Sequence, residues 1–249
     1  MKVRIAIRAS ELALVQARYV ASRIESELHL ATEIVPMTTT GDQIQSVQLA
    51  KIGGKGLFVK EIEEALLENR ADLAVHSAKD LPARIPEGLV LAAFPVREDP
   101  RDALVSRDLS LRVATLPRGA RIGTGSTRRS SQLLALRPDL ELVPLRGNVQ
   151  TRLRKLVEQD LHAVILACAG LERLQCAERI VERIDTELLL PAVAQGTLAV
   201  QTRAADPLTQ KIVSLNDPAV ELTIRAERSF LARLEADCSV PVAGFAELL

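Results

Sequence analysis

The sequence has few aromatic residues: four Phe, one Tyr and no Trp in 249 residues. Proteins that bind single-stranded nucleic acid stack the bases on aromatic side chains, so this scarcity argues against a nucleic-acid partner. No apolar run approaches the roughly 20 residues that a membrane-spanning helix needs. The first residues, MKVRIAIRAS, also lack the apolar core of a signal peptide. With 47% hydrophobic residues, the composition predicts a folded, soluble protein without a membrane partner.

Cysteine is also scarce. Cys168, Cys176 and Cys238 have no metal-ligand spacing and leave one thiol without a disulfide partner, which favours a reducing, cytoplasmic location and predicts no metal site. Cys168 lies in the pattern of a buried strand and Cys176 on a predicted helix, so we expect both to be inert. Cys238 follows a predicted helix end and Asp237, in a loop where a thiol can be exposed and reactive.

Two nucleotide-binding motifs are absent despite a partial likeness. GTGSTR begins like the dinucleotide fingerprint G-x-G-x-x-G, but Arg128 occupies the place of the third glycine. KIGGKGL contains Gly-Lys but lacks the glycine spacing and the following Ser or Thr of a P-loop. The sequence therefore gives no support for a nucleotide or a nicotinamide.

Short strand-like runs alternate with helical patterns along the chain. VRIAI, TEIVPM, ADLAVHS, RIGTG, LELVPL, AVILA and TLAVQTRAAD predict strands. Helices are predicted over 11–28, 57–70, 126–136, 149–159, 171–184 and 218–236. This alternation is typical of βαβ units with mostly parallel sheets. The segment FPVREDPRD breaks the pattern with two prolines and packed charges, and we interpret it as a hinge between two such units.

Cationic side chains follow several predicted strands, although the formal net charge of the chain is zero. Between residues 118 and 155 there are nine basic residues and two acidic ones. Ligands of open α/β sheets bind beyond the carboxyl ends of the strands, where loops meet helix N-termini such as those expected at Ser126 and Asn148. Arginine binds carboxylates through two parallel hydrogen bonds. The sequence therefore predicts a site for a small, acid-rich ligand, with Arg128 and Arg129 at its centre.

Other charged and titratable residues have simpler interpretations. We expect a solvated surface position for Arg118, Arg121, Arg137, Arg154 and Lys155. His29 and His162 are interpreted as surface or capping residues. His76 is interpreted as a structural histidine rather than a catalyst.

Nine segments resemble the porphobilinogen deaminase family, in family order. They are IRASELAL, TTTGD, KIGGKGLFVKEIEEALLENRADLAVHSAKDLP, REDPRDALVS, IGTGSTRRSSQL, LRGNVQTRL, LACAGLERL, LPAVAQG and DCSVPVAG. The resemblance implies an α/β protein with two domains of the type II periplasmic-binding-protein kind around a cleft. It also implies a small α+β C-terminal domain, here shorter than in family members, which usually continue past GFAEL. We expect the first domain at 1–96 with 195–214, the second at 97–194 and the third at 215–249.

The resemblance also implies a transferase of tetrapyrrole and heme biosynthesis, a hydroxymethylbilane synthase. Such an enzyme deaminates four porphobilinogen molecules, joins them head to tail on a covalent dipyrromethane cofactor, and hydrolyses the product to hydroxymethylbilane. Each pyrrole ring carries an acetate and a propionate arm. A monomer that can hand its product to the next pathway enzyme is expected. We expect the short third domain to affect the shielding of the cofactor and the full activity more than the structure of the cleft.

The family's roles transfer to matching positions of this sequence. Asp80 is implied as the catalytic carboxylate, and Cys238 as the thioether attachment point of the cofactor. Further cofactor contacts are implied at Lys55, Ser77, Lys79, Asp80, Thr124, Ser126, Arg128, Arg129 and Arg146. Substrate contacts are implied at Arg8, Ser10, Lys51, Arg146, Asn148, Arg152, Arg173 and Gln195.

Two other classes of protein share the predicted fold. A binding protein for a small dicarboxylate needs the arginines but neither Asp80 nor Cys238. A regulatory ligand-sensing domain is expected to come with a DNA-binding helix-turn-helix, and the sequence contains no such pattern.

Overall fold

A computed structural model describes residues 2–39, 59–234 and 240–248. Its first sheet has the strand order β2-β1-β3-β10-β4. These strands are β1 (Val3–Arg8), β2 (Thr32–Met37), β3 (Leu73–Ser77), β4 (Leu89–Ala93) and β10 (Leu198–Arg203). β1 pairs in parallel with β2 and β3, whereas β10 runs antiparallel to both β3 and β4. Four strands therefore run one way and β10 runs the other, as the prediction of mostly parallel sheets requires.

The second sheet repeats this plan with the order β7-β6-β8-β5-β9. Its strands are β5 (Asp102–Ser106), β6 (Arg121–Thr124), β7 (Glu141–Pro144), β8 (Ala163–Ala167) and β9 (Ile180–Ile184). β6 is parallel to β7 and β8, and β5 is antiparallel to β8 and β9. β5 is buried along its whole length, because it lies between two neighbours in the sheet and apolar side chains cover its faces.

Helices cover the faces of both sheets. The described helices are α1 (Glu11–Leu28), α2 (Lys60–Leu67), α3 (Thr127–Leu136), α4 (Val149–Glu158), α5 (Cys168–Arg173), α6 (Pro207–Ile212) and α7 (Pro218–Arg233). In α1 the buried residues Ala13, Ala17, Val20 and Ile24 recur at helical spacing and pack on β1 and β3. α1 ends at Leu28, and its C-cap residue His29 adopts the left-handed conformation with φ 55°. None of the described helices has the length and apolar composition needed to cross a membrane.

The chain crosses between the two sheets twice, over 94–101 and 185–197, and the crossings meet. Arg97 and Thr197 form an antiparallel bridge. Gly196 has φ 87°, and a Cβ on it would lie 2.4 Å from the carbonyl oxygen of Glu98. A glycine is needed there because both the left-handed backbone and the close approach exclude a side chain. The segment predicted as a hinge forms the first of these crossings.

The helix predicted over 171–184 is wrong for most of its length. α5 ends at Arg173, Gln175 turns the chain with φ 56°, and 180–184 form β9. IVERI places apolar residues at a spacing that fits either a helix or a strand, and pairing with β5 decides between them. The helix predicted over 57–70 is described only from Lys60 and ends at Leu67. β4 and β5 are also present, and the local sequence patterns do not predict them.

Candidate active site

Polar side chains of the first sheet lie where β1 and β3 end. Arg8 is the last residue of β1, and Ser10 caps α1 by accepting a hydrogen bond from the backbone N–H of Ala13 at 3.3 Å. β3 ends at Ser77, and a 3₁₀ turn, Ala78–Asp80, follows directly. Because β1 and β3 are parallel neighbours, their carboxyl ends bring these side chains to one edge of the sheet.

A pocket opens at this edge. Its polar lining consists of Arg8, Ser10, Gln16, His76, Ser77 and Asp80. Gln16 Nε2 donates to Ser77 Oγ at 2.8 Å, which orients the serine hydroxyl. The pocket therefore combines a carboxylate, a guanidinium and hydroxyl groups in one concave surface, the combination expected of a site for a charged small molecule.

The second sheet presents helix N-termini at its corresponding edge. Thr124 ends β6, and Ser126 caps α3 by accepting from the backbone N–H of Arg129 at 3.4 Å. Asn148 caps α4, and its Oδ1 accepts from Thr151 N at 2.8 Å. Both helix starts expected from the sequence are therefore present, and each places partial positive charge at the edge of the sheet.

Arg128 and Arg129 lie buried against Asp102, the first residue of β5. Arg128 Nη2 lies 2.7 Å from Asp102 Oδ2, and Arg129 Nη2 lies 2.6 Å from Asp102 Oδ1. Arg129 Nε donates to the same Oδ1 at 3.0 Å. Asp102 is 0% exposed and each arginine is 5% exposed. Two guanidinium groups thus share one carboxylate of the protein itself.

Gln195 connects this cluster to the first sheet. Its Nε2 donates to Asp102 Oδ1 at 2.9 Å and to the carbonyl oxygen of Pro100 at 2.7 Å. Its Oε1 accepts from Lys79 Nζ at 3.3 Å. Because Lys79 belongs to the turn after β3 and Asp102 begins β5, the amide of Gln195 links the edges of the two sheets through a continuous chain of hydrogen bonds.

The charges of the cluster act on one another strongly. Burial alone would raise the pKa of Asp102, but the charges of Arg129 and Arg128 outweigh it and hold this pKa below its usual range. Burial lowers the pKa of Arg128, partly offset by Asp102. The carboxylate is therefore ionised, and the cluster carries one net positive charge away from water.

Lys79 and Arg152 extend this positive region. Burial and the neighbouring charge of Arg129 lower the pKa of Lys79 to about 8. Burial and the charges of Arg129, Arg146 and Arg8 lower the pKa of Arg152 to about 10. The negative charge of Asp80 acts in the opposite direction on both pKa values. Cations from both sheets are therefore within electrostatic range of Asp80.

The other predicted binding residues of the second sheet lie in separate elements and have different partners. Arg146 is half-buried in the loop between β7 and α4. Arg152 Nε donates to the carbonyl oxygen of Gly147 at 2.8 Å. Arg173, at the end of α5, donates to the carbonyl oxygen of Gly196 at 2.6 Å and so contacts the crossing between the sheets. Three further predicted site residues, Lys51, Lys55 and Cys238, lie outside the described residues.

Sequence reasoning missed Asp102. It lies in the charged segment REDPRD, for which the residue pattern predicts only a hinge. The available signal was an acidic residue placed directly before the apolar run ALV, since a carboxylate at the start of a buried strand needs a cationic partner. The sequence did not reveal which cations would be that partner, because Arg128 and Arg129 are 26 and 27 residues away.

His76, interpreted as a structural histidine, and Cys168, expected to be inert, are both buried. Cys168 begins α5 and does not lie in the predicted strand. His76 is buried, its Nε2 lies 2.9 Å from Gln201 Oε1, and burial lowers its pKa to about 4. Burial raises the pKa of Cys168 to about 12, so its thiol stays protonated and unreactive. The described residues include no group of three His, Cys, Asp or Glu that could hold a metal ion.

The architecture resembles solved binding proteins. A periplasmic substrate-binding protein of an ABC transporter from Coxiella burnetii matches with a TM-score of 0.52 at 15% identity, over 88% of this chain and 94% of that one. A nutrient binding protein from Burkholderia cenocepacia, solved with methionine, matches with a TM-score of 0.50 at 15% identity, over 91% and 97%. The fold is thus of the type II periplasmic-binding-protein class, and the site adds a set of cations around a carboxylate.

The family follows from the sequence itself. The family model described as "Porphobilinogen deaminase, dipyromethane cofactor binding domain" matches residues 3–211, and the C-terminal domain of the same enzyme matches 221–249. The porphobilinogen deaminase of Syntrophotalea carbinolica is 53% identical over 247 residues, which cover 98% of this chain and 78% of that one. That of Paenibacillus macerans is 49% identical over 247 residues, covering 97% and 76%. This chain belongs to the porphobilinogen deaminase family.

The donor set of the site fits the family's cofactor. A dipyrromethane built from two porphobilinogen units carries four carboxylates, and the described edge offers guanidinium groups, a lysine ammonium and capped helix N-termini. Arginines and helix N-termini are the groups that bind carboxylates in proteins. The net positive charge of the buried cluster also favours an anionic ligand over a neutral one.

Proposed function

We propose that this edge of the two sheets is the active site of a hydroxymethylbilane synthase. The reaction deaminates four porphobilinogen molecules with loss of ammonia from each, joins them head to tail on a dipyrromethane primer, and ends with a hydrolysis that releases hydroxymethylbilane. One observation carries the assignment of the site: Asp80, a carboxylate, lines a pocket within electrostatic range of cations from both sheets. A protein that only binds carboxylates gains nothing from a negative charge at that place, whereas this reaction needs one.

Asp80 is the proposed catalytic group. Positive charge develops on the pyrrole ring of porphobilinogen as its amine leaves, and a fixed carboxylate stabilises that charge. The same carboxylate can accept hydrogen bonds from pyrrole N–H groups and so orient the ring.

The cations around Asp80 are the proposed ligands of the carboxylate arms. Arg8 lines the pocket together with Asp80, and Arg8 and Arg146 lie within electrostatic range of Arg152. Lys79 lies within the same range of Asp80 and adds an ammonium group. Arg128 and Arg129 reach the same region from the start of α3. Dipyrromethane, when bound, supplies the primer to which each new pyrrole is joined. The protein holds the arms through charge-assisted hydrogen bonds, which are about twice as strong as neutral ones.

Other features of the proposal rest on the family resemblance. We propose Cys238 as the attachment point of the cofactor, and a monomer in the cytoplasm that can hand its product to the next enzyme. The free state of Cys168 and Cys176 supports a reducing compartment. The boundaries 1–96 with 195–214, 97–194 and 215–249 are supported by the membership of β10 in the first sheet and of β5 to β9 in the second.

Substitution of Asp80 by Asn tests the proposed function. Asn keeps the shape of the side chain but removes its charge, so we expect ammonia release from porphobilinogen to fall by about 100-fold or more. Ammonia and hydroxymethylbilane are measured at saturating porphobilinogen. Asp108→Asn serves as the control, because Asp108 is exposed beyond the other end of β5 and bonds to Ser110. A rate for Asp80→Asn close to that of the unaltered protein would contradict the assignment and favour a binding role.

A further inference from the structure

Asp102 has every oxygen occupied by groups of the protein. Arg128 Nη2 donates to Oδ2 at 2.7 Å. Oδ1 accepts from Arg129 Nη2 at 2.6 Å, from Arg129 Nε at 3.0 Å and from Gln195 Nε2 at 2.9 Å. With 0% of its surface exposed, Asp102 cannot reach a ligand itself. Its effect on the site must therefore pass through the side chains that it holds.

The carboxylate allows two cations to lie side by side in a buried place. Arg128 and Arg129 are consecutive in the first turn of α3, where their like charges and the positive end of the helix would repel one another. A shared carboxylate offsets one of the two charges and leaves one. The pairing with Asp102 therefore leaves net positive charge at the site, and this charge is already in place before an anionic ligand binds.

Each guanidinium is also fixed from a second direction. Arg128 Nη1 donates to the carbonyl oxygen of Leu190 at 2.6 Å, and Arg129 Nη1 donates to that of Ile165 at 3.0 Å. A guanidinium has five N–H donors in a planar fork. Within the part of the chain that the structure describes, contacts use two of these donors in Arg128 and three in Arg129. The other donors of both side chains can bind a carboxylate of a ligand.

The same carboxylate orients Lys79 indirectly. Asp102 accepts from one N–H of the Gln195 amide, Pro100 accepts from the other, and the amide oxygen is then directed at Lys79 Nζ, 3.3 Å away. If the amide were reversed, its oxygen would face the carboxylate and its NH₂ group would face the ammonium, both of which are repulsive. The charge of Asp102 therefore selects one orientation of Gln195.

We propose that Asp102 is a positioning residue for the anionic cofactor, holding Arg128 and Arg129 directly and Lys79 through Gln195 in the arrangement that receives its carboxylates. This inference rests on the proposed function, because it concerns the loading of dipyrromethane. In this proposal Asp102 does not contact the ligand, but it sets the geometry of the three side chains that are proposed to contact it. It also explains why a carboxylate occurs in the middle of a site for an anion.

The direction in which Asp102→Asn changes anion binding distinguishes a positioning role of Asp102 from a simple effect of its charge. If Asp102 only opposed the ligand by its negative charge, Asp102→Asn would make the site more positive and would strengthen anion binding. If Asp102 positions the cations, the same substitution releases them and weakens binding. Citrate, which carries three carboxylates, serves as a probe, and its effect on the melting temperature of the cofactor-free protein reports the binding.

The experiment compares the unaltered protein with Asp102→Asn, both produced without a supply of porphobilinogen. Each protein is incubated with porphobilinogen below its melting temperature, and intact mass follows formation of the covalent adduct. We expect Asp102→Asn to form the adduct at least about tenfold more slowly and to gain less melting temperature from citrate. Asp139→Asn is the matched control, since Asp139 also pairs bidentately with an arginine, Arg137, at the other end of α3. Its adduct formation is expected to be normal.

Two results overturn the inference. One is adduct formation by Asp102→Asn at the rate of the unaltered protein, which would mean that the carboxylate matters only for stability. The other is a larger gain from citrate, which would mean charge balance. If Asp102→Asn does not fold, Asp102→Glu decides: it keeps the charge but displaces it by one methylene, so slower loading supports positioning and a normal rate contradicts it. Failure of the unaltered protein to form any adduct would instead count against the proposed function.

Discussion

At the scale of single residues, the site depends on charges that burial makes strong. The charges of Asp80, Asp102, Arg128 and Arg129 all act on the pKa of Lys79, the two carboxylates raising it and the two arginines lowering it. Burial is the largest influence, and it lowers this pKa from 10.5 to about 8. Lys79 is therefore protonated at neutral pH but loses its proton within the range in which such enzymes can be assayed.

Loading of the cofactor should depend on the protonation of Lys79. A carboxylate binds the ammonium form, so we expect the rate of adduct formation to fall as pH rises through about 8. Lys79→Arg keeps its charge in this range, and the step at that pH should be missing from its profile. Intact mass at fixed times from pH 6.5 to 9.5 measures both proteins. Identical profiles would contradict the role of Lys79.

The pKa of Lys79 also affects folding, with the opposite trend. Because its pKa is lower in the folded than in the unfolded protein, the unfolded state binds more protons between about pH 8 and 10.5. The contribution of Lys79 to the free energy of unfolding therefore increases with pH in that range. A loss of loading above pH 8 consequently cannot be attributed to unfolding caused by this group.

Much of the candidate site was predictable from the sequence, because strand ends and cap residues are local features. Ser10, Ser126 and Asn148 were found as helix caps or strand-end residues without knowledge of the fold. The pairing of Arg128 with Asp102 was not predictable in this way, since a contact between β5 and α3 leaves no mark in local periodicity. The same limit applies to Gln195, whose side chain contacts Lys79 in one segment and Pro100 and Asp102 in another, all more than 90 residues away.

At the scale of secondary-structure elements, the crossing between the sheets is the most constrained segment. Ala194 and Gly196 both have positive φ, 61° and 87°, within three residues. The carbonyl oxygen of Gly196 accepts from Glu98 N and from Arg173 Nη2. This turn therefore fixes where Gln195 enters the site, and its conformation bears directly on the contact between Gln195 and Lys79.

Gly196→Ala should destabilise the protein strongly. The new Cβ would lie 2.4 Å from Glu98 O in a backbone conformation that L-residues avoid, so we expect the free energy of unfolding to fall by about 3 kcal/mol. Thermal or urea denaturation measures this loss. Gly119→Ala is the matched control: Gly119 has φ 75° but nothing within 4 Å of the added Cβ, so only about 1 kcal/mol is expected. Equal losses in the two variants would contradict the account of the crossing.

The fold was predictable where periodicity is unambiguous. β2 and β8 have the predicted bounds, and α1 covers all of the predicted helix. β9 was mistaken for a helix because IVERI fits both periods, and only the pairing with β5 selects a strand. β4 and β5 were missed because each is a short run of five residues next to charged or proline-rich chain. Tertiary pairing decides such segments, and a single sequence does not display it.

At the scale of the whole molecule, one buried glutamate connects the C-terminal part with the crossing. Glu227 of α7 accepts from Arg97 Nη1 at 2.8 Å, from Ala194 N at 2.6 Å and from Ala246 N at 2.9 Å. Arg97 also lies over the ring of Phe245, 4.9 Å from its centroid. Glu227 thus holds α7 against both crossings, through Arg97 and Ala194, and against the segment 240–248, through Ala246.

Glu227→Ala should loosen this connection. It leaves the buried guanidinium of Arg97 without its carboxylate and two backbone N–H groups without an acceptor, so we expect a loss of about 3–5 kcal/mol in the free energy of unfolding. Chemical denaturation gives the value. Glu158→Ala, which removes an exposed partner of Arg154, should cost less than about 1 kcal/mol. A loss of that small size for Glu227→Ala would show that the connection does not stabilise the fold.

We propose that this chain carries a dipyrromethane on Cys238, with its carboxylates bound at the edges of the two sheets. The most direct test is the intact mass of the denatured protein after incubation with porphobilinogen, compared with Cys238→Ser. We expect a covalent adduct equivalent to two pyrrole units on the unaltered chain and none on the variant. An unmodified mass for both proteins would contradict it, and an adduct that persists in Cys238→Ser would place the attachment elsewhere.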